Sequence, residues 1–94
     1  MTKVLEHKLR IVESTVFAEI DDEAVLLNVE TGVYFGLDSV GTRIWTLLGR
    51  EMDQEEICRE LLEEYEVDPE QLRDDIAAFL EVLVAKGLAR IDKE

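Results

Sequence analysis

The 94 residues include 23 acidic and 10 basic side chains, which give a formal net charge of −13, and 47% of them are hydrophobic. A chain of this length builds one small core, so a catalytic cleft between two domains is not expected. The negative charge opposes binding to nucleic acid, and the apolar runs fall short of the ~18 residues that cross a membrane. Met1 to Arg10 lacks the apolar core of a secretion signal, so we expect a cytoplasmic protein.

The first 13 residues show little hydrophobic periodicity. We predict that residues 1–13 form a loosely ordered lead-in and that residues 14–94 form the folded domain. His7, the single histidine, lies in this lead-in without the partners that a general base or a metal ligand needs. We therefore interpret His7 as a surface residue.

Three strands are predicted next. The stretch "STVFAEI" alternates in the manner of a strand and ends at Asp21-Asp22, and the β-rich stretch from Ala24 to Glu30 follows closely. Thr31-Gly32 then supplies a residue that accepts positive φ, so Val33 to Leu37 folds back as the third strand. The sequence predicts a three-stranded antiparallel meander whose third strand lies at an edge.

Three helices are predicted after the meander, each beginning at a residue whose side chain can cap it. The caps are Asp38 or Ser39, then Asp53, then Asp68 with Pro69 behind it, and the first and third helices end at Gly49 and Lys86-Gly87. The tail "LARID" is compatible with an extended segment. This order predicts an α+β fold that resembles a winged helix: a three-stranded antiparallel β-meander followed by three α-helices.

Winged helices often bind DNA, but the charge of the third helix argues against that function here. Its beginning, "DPEQLRDDI", contains four carboxylates and one arginine. Carboxylates that face phosphates oppose binding. We therefore expect no nucleic acid among the partners.

No set of residues in the sequence has the spacing of a catalytic or metal site. Cys58 lies on a helical apolar stripe, and Trp45 has helical spacing from Leu48, so both are interpreted as core residues. Paired acids such as Asp74-Asp75 diverge around a helix and favour solvated faces. We expect a protein that is not an enzyme and that holds no cofactor and no metal.

The third strand has apolar residues on both of its faces. Val33, Phe35 and Leu37 point one way, while Tyr34 and Gly36 point the other way. No proline or charge protects this edge, and Gly36 allows another backbone to approach. The third helix likewise has a second, shallower stripe, formed by Ala78, Val82 and Ala85. Either the protein's own helices or a twin subunit cover the edge, or a guest peptide adds a strand there.

The order and spacing of several segments resemble the PqqD-like family, also called RiPP recognition elements. The resemblance covers about Val16 to Ile91 and rests on Leu26-Leu27, Thr31-Gly32 with Tyr34, "GTRIW", and "DDIAAFLEVLVAKGL". It implies a non-catalytic protein that binds the leader of a ribosomally made precursor peptide and presents it to processing enzymes. The hairpin and the start of the first helix, "TGVYFGLDSVGTRIW", are more similar to the stand-alone recognition subunits of lasso peptide pathways. These subunits act with a separate leader peptidase.

The family resemblance implies where the leader lies. It is expected as an added strand, antiparallel to the third strand and against the third helix. The implied peptide-binding residues are Val33, Tyr34, Phe35, Gly36, Leu37, Asp75, Ala78 and Val82. The protein itself is expected to be a monomer or a weak dimer. Two alternatives stay open: a peptide chaperone of a pyrroloquinoline quinone-type pathway, and a structural or regulatory winged-helix module that dimerises through the same edge.

Overall fold

The structure is a computed structural model that describes residues 8–21 and 23–92. These residues form five strands and three helices in the order β1 (Lys8–Ile11), β2 (Thr15–Ile20), β3 (Glu23–Asn28), β4 (Tyr34–Leu37), α1 (Ser39–Gly49), α2 (Gln54–Glu64), α3 (Pro69–Ala85) and β5 (Ala89–Asp92). The predicted α+β fold, with a three-stranded antiparallel meander followed by three helices, is confirmed.

The meander has the strand order β2-β3-β4, so β3 is central and β4 is an edge, as predicted. Leu26 in β3 lies between Phe17 of β2 and Phe35 of β4 and is fully buried. Residues of β3 alternate between buried and accessible positions, which is the period-2 pattern of a strand with one face on a core. The helices cover the face that carries Leu26.

All three helices begin at the predicted caps. Asp38 accepts a hydrogen bond from the amide of Gly41, Asp53 forms a complete capping box with Glu56, and Asp68 accepts from the amide of Gln71. These carboxylates satisfy amides that have no partner inside the helix and lie at the positive end of its dipole. The caps therefore set the helix starts, while buried stripes hold the helices on the sheet.

A second, two-stranded sheet pairs the two ends of the described chain. β1 runs antiparallel to β5, with Leu9 opposite Ile91 and Arg10 opposite Arg90. Leu9 is only 7% exposed. The prediction of a loosely ordered lead-in over residues 1–13 did not include this strand, because its partner lies about 80 residues away in the chain. Residues 1–7, including His7, lie outside the described residues.

Asn28, at the end of β3, joins the sheet to the end of α3. Its side chain is almost completely buried, and its amide nitrogen donates to the carbonyl of Gly87 at 2.9 Å. Its amide oxygen accepts from the hydroxyl of Ser14 at 2.8 Å and from the amide of Glu30 at 2.9 Å. The side chain of Asn28 therefore connects Ser14 before β2, the turn before β4, and Gly87 in the turn after α3.

The core lies between the meander and the helices. Its largest fully buried side chains are Leu26, Leu47, Ile57, Leu61, Ile76, Leu83, Leu88 and Cys58. Trp45 is also buried, as predicted. None of the helices within residues 8–21 and 23–92 has the length and hydrophobicity that crossing a membrane requires.

Candidate functional site

Within residues 8–21 and 23–92, no strand pairs with the outer edge of β4, which we call the free edge. This edge presents the main-chain groups of two residues. The amide of Asn28 donates to the carbonyl of Val33 at 2.8 Å, so this carbonyl points toward β3. Hydrogen-bonded and non-bonded pairs alternate along an antiparallel ladder, so Phe35 and Leu37 also direct their main-chain groups toward β3. The N–H and C=O groups of Tyr34 and Gly36 therefore point away from β3. They are the donors and acceptors that an added strand would meet.

The side chains of β4 divide between two environments. Leu37 is buried and Phe35 is half-buried against the core, while Tyr34 on the other face is 70% exposed. A Cβ atom built on Gly36 has no heavy atom within 4 Å of it. The edge therefore has an apolar inner side and open space beside Gly36, as the alternation in the sequence predicts.

A flank of α3 forms a wall beside β4. The rings of Phe35 and Phe79 have centroids 6.0 Å apart in a tilted arrangement, and the ammonium of Lys86 lies 5.7 Å from the centroid of Phe35. Phe79 also reaches α1, where a Cβ atom on Gly41 would meet the Phe79 ring at 3.2 Å. Phe79 and Lys86 therefore identify the side of α3 that faces β4. We call the space between this flank and the free edge of β4 the groove.

The structure places the three predicted α3 residues at different distances from this flank. In a helix with 3.6 residues per turn, Asp75 lies about 40° and Val82 about 60° around the axis from Phe79, whereas Ala78 lies about 100° away. All three residues are exposed, and the Asp75 carboxylate accepts a hydrogen bond from the side chain of Gln71 at 2.9 Å. Asp75 and Val82 border the groove, and Ala78 lies further from it.

A small apolar cavity continues the groove past the carboxyl end of β4. It has a volume of ≈ 170 Å³ and is lined by Val40, Ile44, Tyr65, Val67, Gln71, Leu72 and Asp75. Asp75 belongs to both the groove and the cavity. Apart from Asp75, sequence reasoning did not assign these residues to the site. Val67 is the one sequence feature that could have indicated this cavity, because it is an apolar residue in the acidic connection between α2 and α3. In the structure, Val67 is half exposed.

The structure offers no alternative site built from reactive side chains in the part of the chain it describes. Cys58 is 1% exposed and lies within the core. Within residues 8–21 and 23–92, no group of three or more histidine, cysteine, aspartate or glutamate residues is placed to hold a metal ion.

The sequence matches a known protein family over most of its length. The family described as coenzyme PQQ synthesis protein D (PqqD) matches residues 23–89, which include the meander from β3 onward and all three helices. No curated protein matches the chain.

The fold is also similar to those of two solved complexes. TbiB1 in complex with the TbiA(beta) leader peptide is 44% identical, with a TM-score of 0.78, over 90% of this chain and 96% of that chain. Lasso peptide synthetase B1 complexed with the leader peptide is 28% identical, with a TM-score of 0.80, over 87% of this chain and 96% of that chain. Both similarities extend over nearly complete chains.

Proposed function

The chain belongs to the PqqD family, and from this premise we propose that it is a RiPP recognition element that binds the leader of a precursor peptide. The leader adds a strand to the free edge of β4 and lies in the groove. A lasso peptide pathway is the preferred setting, because both similar structures are complexes with a leader peptide and one of them is a lasso peptide synthetase B1. The protein works without catalysis, by delivering the leader to a separate peptidase or other maturation enzyme.

The observation that carries this proposal is the combination of a free strand edge and an apolar wall. The main chain of Tyr34 and Gly36 supplies hydrogen bonds that are independent of the leader's sequence. The side chains of Phe35, Phe79 and Val82 supply an apolar surface for alternate residues of the leader. Affinity therefore comes from the edge, and sequence preference from the wall.

The cavity beyond β4 gives the leader a further contact. An antiparallel leader runs opposite to β4, so the residues before its paired segment lie near the carboxyl end of β4 and the start of α1. A cavity of about 150 Å³ holds one benzene molecule, and this one has ≈ 170 Å³. We assign to it one apolar or aromatic side chain of the leader, located before the paired segment.

An amide-shift titration tests the proposal. The ¹⁵N-labelled protein is titrated with a synthetic peptide that comprises the leader of the precursor encoded beside its gene. We expect the largest shifts in β4 and on the Phe79 flank of α3, with smaller shifts in α2. Shifts that leave Tyr34, Gly36 and Val82 unchanged while other regions respond would place the leader elsewhere.

The alternative of an edge covered by a second copy is tested in the same samples. The mass of the protein in solution is measured with and without the leader peptide. The proposal predicts a species of one chain that gains one peptide. A stable dimer that the leader does not dissociate, and whose β4 amides do not shift, would favour the dimerising module.

A further inference from the structure

Four residues of α3 and its C-cap form one stripe along the wall of the groove. At 3.6 residues per turn, Asp75, Val82 and Lys86 all lie within about 60° of Phe79 around the helix axis. The stripe begins with a carboxylate, continues with two apolar side chains, and ends with an ammonium. We call Asp75, Phe79, Val82 and Lys86 the wall stripe. Its two ends have opposite charges.

The two ends of the wall stripe lie at opposite ends of β4. Asp75 lines the cavity together with Val40, which follows the carboxyl end of β4 closely in the chain. The Lys86 ammonium lies over the ring of Phe35, and the next residue, Gly87, accepts a hydrogen bond from the side chain that ends β3, just before the turn into β4. α3 therefore runs antiparallel to β4. A leader that pairs antiparallel with β4 passes the carboxylate first and the ammonium last.

Both charges are accessible to a guest peptide. Asp75 and Lys86 are exposed. The Asp75 carboxylate accepts one hydrogen bond, from the side chain of Gln71 at 2.9 Å, and an ionised carboxylate can accept several more. Within residues 8–21 and 23–92, no carboxylate forms an ion pair with Lys86, although the whole sequence has 23 acidic side chains. The described part of the chain therefore leaves the charge of Lys86 unpaired.

The stability of α3 explains a basic residue at this position but not the direction of its side chain. A cation at the end of a helix interacts favourably with the helix dipole, and Lys86 is the C-cap of α3. Its ammonium nevertheless lies 5.7 Å from the centroid of the Phe35 ring. This cation–π contact holds the charge beside the path of an added strand.

The distance between the two charges corresponds to a short length of extended peptide. Asp75 and Lys86 are eleven positions apart, or about 16 Å along the helix axis. A strand advances about 3.4 Å per residue, so about five residues cover this distance. Side chains on one face of a strand recur at every second residue. The two leader residues that face Asp75 and Lys86 are therefore about four or six positions apart.

We propose that the wall stripe selects the charge pattern of the leader. A basic side chain lies opposite Asp75, an acidic side chain about four or six positions later lies opposite Lys86, and the leader residue that faces the wall between them is apolar. This inference rests on the proposed leader-binding function and adds to it what the leader's sequence must contain.

The two charges also set the direction and register of the leader. A peptide that pairs in the parallel direction brings its acidic residue to Asp75 and its basic residue to Lys86, and like charges at close range oppose binding. A shift by one residue turns both charged side chains away from the wall stripe. Main-chain pairing alone does not distinguish these arrangements as strongly, because every residue offers the same groups.

Exchange of charges between protein and peptide tests the proposal. The probe is a fluorescently labelled synthetic leader of the precursor encoded beside the gene, and its affinity is measured by anisotropy titration. Lys86→Glu and Asp75→Lys reverse the charge at each end of the wall stripe. The controls make the same changes in charge at exposed positions away from the groove: Arg59→Glu on α2, and Asp74→Lys, which lies about 140° from Phe79 around α3.

Each reversal in the wall stripe should weaken leader binding by about tenfold, whereas each control should stay within about twofold of the unmodified protein. Lys86→Met, which keeps an apolar stem at this position, should lose about threefold. Leader variants with one charged residue reversed at a time then locate the partners. One acidic-to-lysine peptide should restore binding to Lys86→Glu, and one basic-to-glutamate peptide should restore binding to Asp75→Lys. The restoring acidic position should follow the restoring basic position by about four or six residues.

The proposal is wrong if no peptide variant restores binding at either end of the wall stripe, because the losses would then reflect packing or total charge. Equal losses for Lys86→Glu and Arg59→Glu would have the same meaning. Restoring positions in the reverse order, or much further apart, would contradict the assigned direction and register. Failure of the unmodified protein to bind the leader would instead reject the proposed function, and the charge pattern with it.

Discussion

The two edges of the meander, β2 and β4, have the same main-chain chemistry but different surroundings. Five of the six residues of β2 are exposed, so a strand added there would have solvent on both of its faces. β4 buries Leu37 and holds Phe35 against Phe79 of α3. A free edge supplies hydrogen bonds in both places, but only at β4 does a helix flank provide apolar contact for a guest. We therefore propose that a leader strand adds to β4 and not to β2.

Proline substitution at β4 is expected to have the largest effect. Tyr34→Pro removes the N–H group that points away from β3 and fills its place with the pyrrolidine ring. Since this N–H does not bond to β3, the fold keeps its ladder. We expect leader affinity to fall at least about 100-fold, or roughly 2.8 kcal/mol, in calorimetric titration.

The matched control for Tyr34→Pro is Glu19→Pro on the opposite edge. The amide of Val29 donates to the carbonyl of Ser14, so by alternation Glu19 directs its N–H away from β3, as Tyr34 does. Glu19→Pro should retain leader affinity. Equal losses in the two variants would mean that proline acts through the stability of the sheet. Unchanged affinity in a folded Tyr34→Pro protein would reject strand addition at β4.

The hydrogen bonds of Asn28 hold both edges in place relative to α3. Asn28→Ala leaves the carbonyl of Gly87 and the hydroxyl of Ser14 without these partners. We expect a loss of about 2 kcal/mol in the free energy of unfolding, measured with denaturant. Ser14→Ala removes a single one of these bonds and is expected to cost about half as much. Equal stability of Asn28→Ala and the unmodified protein would show that the side chain network contributes nothing.

The wall is tested by charge placed on α3. Val82→Glu introduces a carboxylate beside the groove, and we expect about a tenfold loss of leader affinity, or roughly 1.4 kcal/mol. Both Val82 and the control position Ala85 are exposed, so neither variant should change stability by more than about 0.5 kcal/mol. Ala85→Glu should keep its affinity because Ala85 lies about 120° from Phe79 around the helix. Equal losses would indicate long-range repulsion instead of contact.

The sequence was sufficient to predict features that depend on local chemistry. Thr31-Gly32 produced the turn, with Gly32 at φ +80°, and Asp38, Asp53 and Asp68 produced the caps. The period-2 alternation in β4 also predicted which of its side chains share a face. Each of these signals depends on residues that are close together in the chain. The fold and the β4 edge could therefore be predicted from the sequence alone.

The remaining features depend on contacts between distant segments. The pairing of β1 with β5 has no local signal, because either strand alone resembles an irregular end. The side of α3 that faces the groove is set by the contact between Phe79 and Phe35, which periodicity does not encode. The cavity near Val67 exists because α1, α3 and the α2–α3 connection meet there. Tertiary packing therefore determines which side of α3 lines the groove and where the cavity forms, and neither feature could be predicted from strand alternation or helix caps.

The smallest expected effect concerns an ion pair between α1 and α2. Arg43 on α1 donates to Glu64 at the end of α2, with a distance of 2.6 Å from Nη2 to Oε2. This hydrogen bond is the main cause that lowers the pKa of Glu64 below its ordinary value of 4.5. A carboxylate with a lowered folded-state pKa contributes stability above its unfolded pKa and loses that contribution as the pH falls through the folded value.

The pH dependence of unfolding isolates the contribution of this ion pair. Glu64→Gln should lower the melting temperature slightly near neutral pH. The difference from the unmodified protein should shrink as the pH falls below the ordinary pKa of 4.5 and disappear below the lowered folded-state pKa of Glu64. Glu63→Gln removes the same charge from the neighbouring exposed position and serves as the control. A difference for Glu64→Gln that persists in acid would mean that the side chain stabilises by packing. Because the pair lies among the helices, both variants should retain the β4 edge, so stability and leader binding by strand addition vary separately.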